Sequence, residues 1–241
     1  MTRTMIAALA AGLFLTTASF APVALAQPPA AADALTDPAL KSGEVIKFMG
    51  VKPGDRVADM VAGRFVRALS IAVGPKGKVY AEMPDEITKA HPEVIGLLKT
   101  TAADPKYANV EVLTGPIDKP GLPAKLDAVF IRQNYHDLHD KFMGPADVAA
   151  FNKNVFAALK PGGVYVVLDH AAAAGSGLAG TEGLHRIDIA TVKAEVLAAG
   201  FKLDGESAIF VNPADDHTKM VFNPAVRGKT DQFLLRFRKP R

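Results

Sequence analysis

From residue 38 onward, short and nearly continuous apolar runs alternate with longer stretches in which apolar residues recur at helical spacing. Pro38 opens a helical stretch with Val45, Ile46, Phe48 and Met49 on its apolar side, and Gly50 closes it. Pro53-Gly54-Asp55 turns into Arg56-Val57-Ala58-Asp59-Met60, which reads as a first buried strand. Residues 64–73 read as a helix ended by Gly74-Pro75, and Lys78-Val79-Tyr80-Ala81-Glu82 as the second strand. A helical stretch over 85–103 is perturbed at His91-Pro92, because proline disfavours helix for the residue before it. Asn109 to Leu113 and Leu126 to Ile131 are the third and fourth strands. A helix over 146–159 runs into Lys160-Pro161-Gly162-Gly163, and Val164 to Asp169 is the fifth strand. Residues 189–199 read as a helix ended by Gly200, followed by two closing strands, Phe201 to Phe210 and Gln232 to Phe237.

Continuous apolar strands separated by helices call for an α/β fold: a doubly wound, mostly parallel sheet covered on both faces. The two closing strands have no helical crossover pattern between them and are expected to pair antiparallel. No internal repeat occurs, so residues 38–241 are expected to form one domain.

The first 26 residues follow a different pattern. Arg3 precedes an apolar run from Met5 to Phe20 broken only by Thr and Ser, and Ala24-Leu25-Ala26 ends it. A basic start, an apolar centre and a small-x-small end describe a cleavable secretory signal, 1–26, cut after Ala26. The run is short for a membrane span, and no Cys stands at the cut to carry a lipid, so no stable membrane anchor is expected after cleavage. Residues 27–37, rich in Ala and Pro, read as a linker, and the protein is expected to be periplasmic or secreted. The chain has no Cys at all, which excludes disulfides and thiolate metal ligands. With 28 Lys+Arg against 25 Asp+Glu and no basic block, nucleic acid is not an expected partner. A small molecule is.

Three features coincide along residues 38–241: Val57-Ala58-Asp59-Met60-Val61-Ala62-Gly63 at the first strand, Glu82 closing the second, and Leu159-Lys160-Pro161-Gly162-Gly163 before the fifth. In this order they resemble the class I S-adenosylmethionine-dependent methyltransferases. The closing segment, Asn212 to His217 and Arg227 to Phe233, resembles a signal-bearing bacterial branch of them. The resemblance implies a Rossmann-like, seven-stranded sheet with an antiparallel last strand. It implies a site at the carboxyl ends of the strands and S-adenosyl-L-methionine as cofactor, held by Asp59, Gly63, Glu82, Asp118 and Asn134. Glu82 would accept hydrogen bonds from the ribose hydroxyls, although a solvated strand end explains it equally well. Where the family carries a Gly-x-Gly-x-Gly loop, this chain keeps Gly63 but has Val61 and Phe65 at the outer positions.

The histidines are grouped. His136 and His139 lie in Asn134-Tyr135-His136-Asp137-Leu138-His139-Asp140 just past the fourth strand, and Asp169-His170 ends the fifth. His185 precedes the next helix, and His217 lies between the closing strands. A histidine oriented by a carboxylate is a natural acid or base, which points to His136, His170, His185, Tyr135 and Asp169 as candidate catalytic residues. His136, His139 and His170 could instead hold a divalent metal such as zinc. The same residues also read as groups that satisfy loop backbone. Three functions follow from these features. One is methyl transfer from S-adenosylmethionine to a small molecule. Another is a cofactor-independent lyase, isomerase or hydrolase working through the His/Asp cluster, with or without a metal. The third is capture of a small molecule or metal without catalysis.

Overall fold

The computed structural model describes residues 33–144 and 146–241; the stretch read as a signal, and the linker before Asp33, lie outside them. Its strands are β1 (Arg56–Met60), β2 (Lys78–Pro84), β3 (Val110–Gly115), β4 (Leu126–Arg132), β5 (Leu159–His170), β6 (Lys202–Ser207) and β7 (Gln232–Arg238). They form one sheet in the order β3-β2-β1-β4-β5-β7-β6. The strands from β3 across to β5 are parallel, and β7 runs antiparallel to both β5 and β6. This is the doubly wound, mostly parallel sheet with an antiparallel last strand that the pattern predicts.

Alternation along the strands sorts the core into two faces. Val57, Val79, Ala81, Phe130 and Val166 pack against α1 (Ser42–Met49), α2 (Val66–Val73) and α4 (Pro92–Ala103). Ala58, Met60, Val129, Ile131 and Val167 pack against α5 (Val148–Ala158) and α7 (Ile189–Ala198). Each fully buried aliphatic side chain contributes about 1.5–3 kcal/mol, so these two interfaces outweigh any local helix preference. The helical stretch over 85–103 divides, as the proline requires, into α3 (Asp85–Ala90) and α4, with Pro92 opening the second.

Three departures from the sequence expectation go beyond a shift of one or two residues at an element's end. β5 begins at Leu159, so the Lys160-Pro161-Gly162-Gly163 turn is part of the strand, with a register irregularity against β4. A Cβ on Gly163 would lie 3.0 Å from the Lys160 carbonyl and 3.1 Å from that of Leu126, which leaves room for glycine only. β6 stops at Ser207 rather than at Phe210, and residues 208–231 leave the sheet before β7 returns. The last residues of the expected linker are docked: the Ala34 N–H donates to the Arg64 carbonyl at 2.9 Å, and Asp33 pairs with Arg67 of α2.

Arg186, fully buried, fastens the 208–231 excursion. Its guanidinium donates to the carbonyls of Ala171 and Lys219, both at 2.9 Å, and pairs with Asp215 at 2.9 Å. Burial opposes the Asp215 charge, but the Asp231 N–H and Arg186 outweigh it and hold its pKa below the usual carboxylate range. Among the described residues, no helix is long and apolar enough to cross a membrane.

Candidate functional site

Strand order reverses between β1 and β4, and the loops leaving the carboxyl ends there enclose the candidate site, where parallel sheets place their ligands. Six non-glycine residues adopt positive φ among those described. Four of them, Val61, Gln133, His185 and His217, lie in loops at this edge of the sheet. Strain of this kind persists only where surrounding structure imposes it, and it gathers at functional sites.

On the β1–β2 side, Asp59 is buried and accepts from the Gly63 N–H at 3.4 Å; burial lifts its pKa to about 7. Val61 takes φ +48°, so the chain keeps a left-handed turn with a β-branched residue at a position where glycine is the easy choice. Glu82, two residues before the end of β2, which runs on to Pro84, is fully buried: its carbonyl accepts from the Ala62 N–H at 2.7 Å and its Oε2 from the Val61 N–H at 3.3 Å. Its Oε1 has no partner. Burial, helped by Glu86 and Asp59, pushes the Glu82 carboxyl up to about 8. Phe65 turns its ring into the core, edge-on to Phe130 at 5.2 Å, with the Arg132 guanidinium 5.9 Å above it. A cavity of about 140 Å³ is bounded by Asp59, Val61, Gly63, Arg64, Phe65, Arg132 and Asn134. Neither Glu82 nor Asp118 lines it. The Asp118 carbonyl instead holds Asn154 of α5 at 2.7 Å. A larger cavity, about 470 Å³, opens at the opposite edge of the sheet around Gly74, Pro75, Lys106 and Asn109, but no acid or histidine lines it.

On the β4–β5 side, the chain beyond β4 forms a short 3-10 turn, His136–His139. The His136 N–H and Nδ1 both reach Asp169, each at 2.8 Å, on the carboxyl end of β5. His136 Nε2 lies 3.0 Å from Asp137 Oδ1 and 3.3 Å from His185 Nδ1. His185 reaches this place because it caps the short helix α6 (Thr181–Leu184) in a left-handed conformation. Burial works against a charged His136 ring, yet Asp169 and Asp137 outweigh it and hold its pKa at about 10. Burial likewise opposes the Asp169 charge, but His136 keeps that carboxyl ionised below its ordinary range. Asp140, buried, completes the group, and its Oδ1 has no partner. One ligand atom from each of His136, Asp137, Asp140 and His185 lies within 4.8 Å of all the others. Asn134 joins the two sides: it lines the cavity and donates from Nδ2 to Asp137 Oδ2 at 2.7 Å.

Other predicted residues stand apart from this group. Tyr135 is fully buried on the α5–α7 side, accepting from Asn152 at 2.8 Å and donating to Glu195 at 2.9 Å. His139 turns the same way, 3.3 Å from Glu195, so the two histidines of the shared turn point to different partners. His170 is buried with Nδ1 2.8 Å from Thr230 Oγ1, its ring 6.3 Å from that of His136. Burial, with Arg132 and Arg186 nearby, lowers its pKa to about 4 and keeps the ring neutral. The expected set His136, His139 and His170 is therefore not the one that converges; Asp137, Asp140 and His185 take the places of His139 and His170. Asp137 and Asp140 stood in the same sequence motif, and only the tertiary path of the chain shows that they face His136.

The fold is that of the class I methyltransferases. It is similar to a SAM-dependent methyltransferase from Aquifex aeolicus, at 21 % identity over 82 % of this chain and 88 % of that one, with TM-score 0.59. It is also similar to a SAM-dependent methyltransferase from Mesorhizobium loti, at 15 % identity over 82 % and 96 %, with TM-score 0.56. The [4+2]-cyclase SpnF is similar too, at 15 % identity over 84 % and 81 %, with TM-score 0.59. At these identities the likeness is one of fold, and the cyclase shows that the fold carries more than one chemistry. No protein-family model and no curated protein matches the chain.

The polar groups on the β1–β2 side fit a nucleoside cofactor. Glu82 Oε1 is an unpartnered buried carboxyl oxygen suited to a hydroxyl partner, and Gly63 meets nothing within 4 Å where its Cβ would be. The room does not match: 140 Å³ is below the roughly 300 Å³ at which small-molecule pockets begin, so the cavity must widen for a ligand of that size.

Proposed function

We propose that this chain is an exported methyltransferase that transfers a methyl group from S-adenosylmethionine to a protic small molecule. The observation that carries the reading is Asn134, whose side chain bounds the cavity of Asp59 and Gly63 and also pins Asp137 of the histidine group. A cofactor cleft and a group that handles protons thus share one wall. Export rests on the basic start, apolar run and Ala24-Leu25-Ala26 of the first 26 residues.

When bound, the cofactor supplies an electrophilic methyl group. Asp59, Gly63 and Asn134 would hold it, and Glu82, behind the cavity wall, would meet the ribose hydroxyls once the cavity opens to it. Direct transfer asks little of the protein beyond alignment and a deprotonated, desolvated acceptor. His136, buried between Asp169 and Asp137, keeps these carboxylates and His185 in place beside the acceptor. His185, about a quarter exposed, takes the hydroxyl proton of an acceptor such as a phenol and passes it to solvent. Phe222, 5.1 Å from the His185 ring and itself 54 % exposed, offers an apolar surface to the body of the acceptor.

Calorimetric titration with S-adenosylhomocysteine tests the reading. Micromolar binding, weakened at least about tenfold in Asp59→Asn and Glu82→Gln, is the expected result. The small cavity and the strained Val61 favour a second reading, in which the His136–Asp169 pair works without this cofactor. Absence of binding in the wild-type chain would refute the first reading in favour of the second.

A further inference from the structure

The geometry points to a divalent transition-metal site formed by His136 Nε2, His185 Nδ1 and the carboxylates of Asp137 and Asp140, with zinc as the ion best matched to it. A tetrahedral ion with bonds of about 2.0–2.1 Å keeps its ligand atoms roughly 3.3–3.4 Å apart. The three edges among His136, Asp137 and His185 bracket that spacing, at 3.0 Å from His136 Nε2 to Asp137, 3.3 Å from His136 Nε2 to His185 Nδ1 and 3.7 Å from His185 Nδ1 to Asp137, and an Asp140 oxygen lies within 4.8 Å of each.

The chemistry of the partners argues the same way. Asp169 accepts at His136 Nδ1, which fixes the proton there and turns the lone pair of Nε2 toward the cluster. A carboxylate behind an imidazole, orienting it and raising its basicity, is the usual support of a metal-bound histidine. The Nε2 lone pair then faces a carboxylate oxygen at 3.0 Å and a second imidazole nitrogen at 3.3 Å. Atoms this close need a positive charge between them, either the second proton of the His136 cation or a metal ion that displaces it. Asn134 holds the outer oxygen of Asp137, leaving Oδ1 for the centre, and Asp140 brings a buried oxygen that nothing else satisfies. Imidazole and carboxylate together suit zinc and its first-row neighbours better than magnesium or calcium, which prefer oxygen throughout. Three of the four residues are buried, while His185 is partly exposed and marks the side from which an ion and one exchangeable ligand enter.

A second proton on His136 would also bridge these atoms, so the experiment has to separate a proton from a metal. The purified, untagged chain is stripped with chelator and titrated with zinc, with magnesium as control and no S-adenosyl compound present. The outcome is therefore independent of the methyltransferase reading. The site predicts one tightly bound zinc, no magnesium uptake at the same concentrations, and tetrahedral cobalt absorption when cobalt replaces zinc. His185→Ala and Asp140→Asn abolish the stoichiometric uptake. Asp169→Asn keeps the four ligands but weakens the affinity about 10–100-fold, as loss of an orienting partner does. His185 lies near the surface and Asp140→Asn preserves shape, so folding of both variants is checked by circular dichroism. A wild-type chain that takes up no zinc in excess overturns the proposal. So does zinc uptake that the His185 and Asp140 variants leave unchanged.

Discussion

Replacing Glu82 by glutamine isolates the electrostatic cost of the buried acid near the end of β2. The folded protein holds the Glu82 proton up to about pH 8, whereas an ordinary glutamate releases it at 4.5. A carboxyl whose folded pKa is raised contributes stability that is complete below the unfolded value and is lost as pH rises through the folded one. Between those limits the loss runs at about 1.4 kcal/mol per pH unit, roughly 4–5 kcal/mol over the window as an upper bound. A domain of this size is typically stable by about 5–15 kcal/mol, so the effect is a large share of the total. Glutamine keeps the shape and a carbonyl for the Val61 N–H but has no charge to bury. Its amide takes the place of the unpartnered Oε1, costing about 1–3 kcal/mol at pH 5. Urea unfolding of both proteins at fixed ionic strength from pH 5 to 8.5 reads the difference. Wild type should begin as the more stable protein and lose ground with a slope about 1 kcal/mol per unit steeper, so that the two curves cross. Asp59 and His136 titrate in both proteins and largely cancel in the comparison. Parallel curves would refute the argument, because they would mean that Glu82 is solvated and ionised throughout.

Two further substitutions test other parts of the framework. Asp215→Ala leaves the fully buried Arg186 charge without its carboxylate and should cost about 3–5 kcal/mol in denaturant unfolding; a loss under about 1 kcal/mol would show that water reaches the guanidinium. Gly77→Ala would place a Cβ 2.5 Å from Val73 Cβ and 2.7 Å from the Asp55 carbonyl. It should lower stability by about 1–3 kcal/mol, and an unchanged melting temperature would contradict the close approach of α2 to this turn.

The centre of the sheet was legible because β1, β2, β4 and β5 are buried on both faces and read as largely apolar runs, whereas the edge strands β3 and β6 are mostly exposed. His91-Pro92 divided the helical stretch where the backbone restriction on the residue before proline says it should. Excursions were harder to read. Ile209, Phe210 and Val211 continue an apolar pattern past β6, yet Ile209 and Phe210 turn away to pack elsewhere, Val211 is exposed, and no local signal marks Ser207 as the end. The site was legible as a neighbourhood and not as a constellation. His136, Asp169 and His185 could be collected from the carboxyl ends of the strands by topology alone. Which side chain faces which depends on rotations that spacing does not encode. His136 and His139 share a 3-10 turn, but one turns to Asp169 and the other to Glu195. Val61 and Phe65 were visible as departures from a glycine pattern. The backbone nevertheless holds the left-handed turn at Val61, and the Phe65 ring goes to the core.

The 208–231 excursion is fixed at its ends by the β6–β7 pairing and tied in its middle to Arg186, while contributing Phe222 to the surface beside His185. Such a segment behaves as an exchangeable faceplate. Lengthening it costs little, since closure entropy grows only slowly with loop length. Rewriting its exposed positions leaves the sheet, the acidic pair Asp59 and Glu82, and the His136 group untouched. A lineage carrying this chain could therefore change what it accepts by editing one surface piece, provided that Asp215 stays in place to latch it.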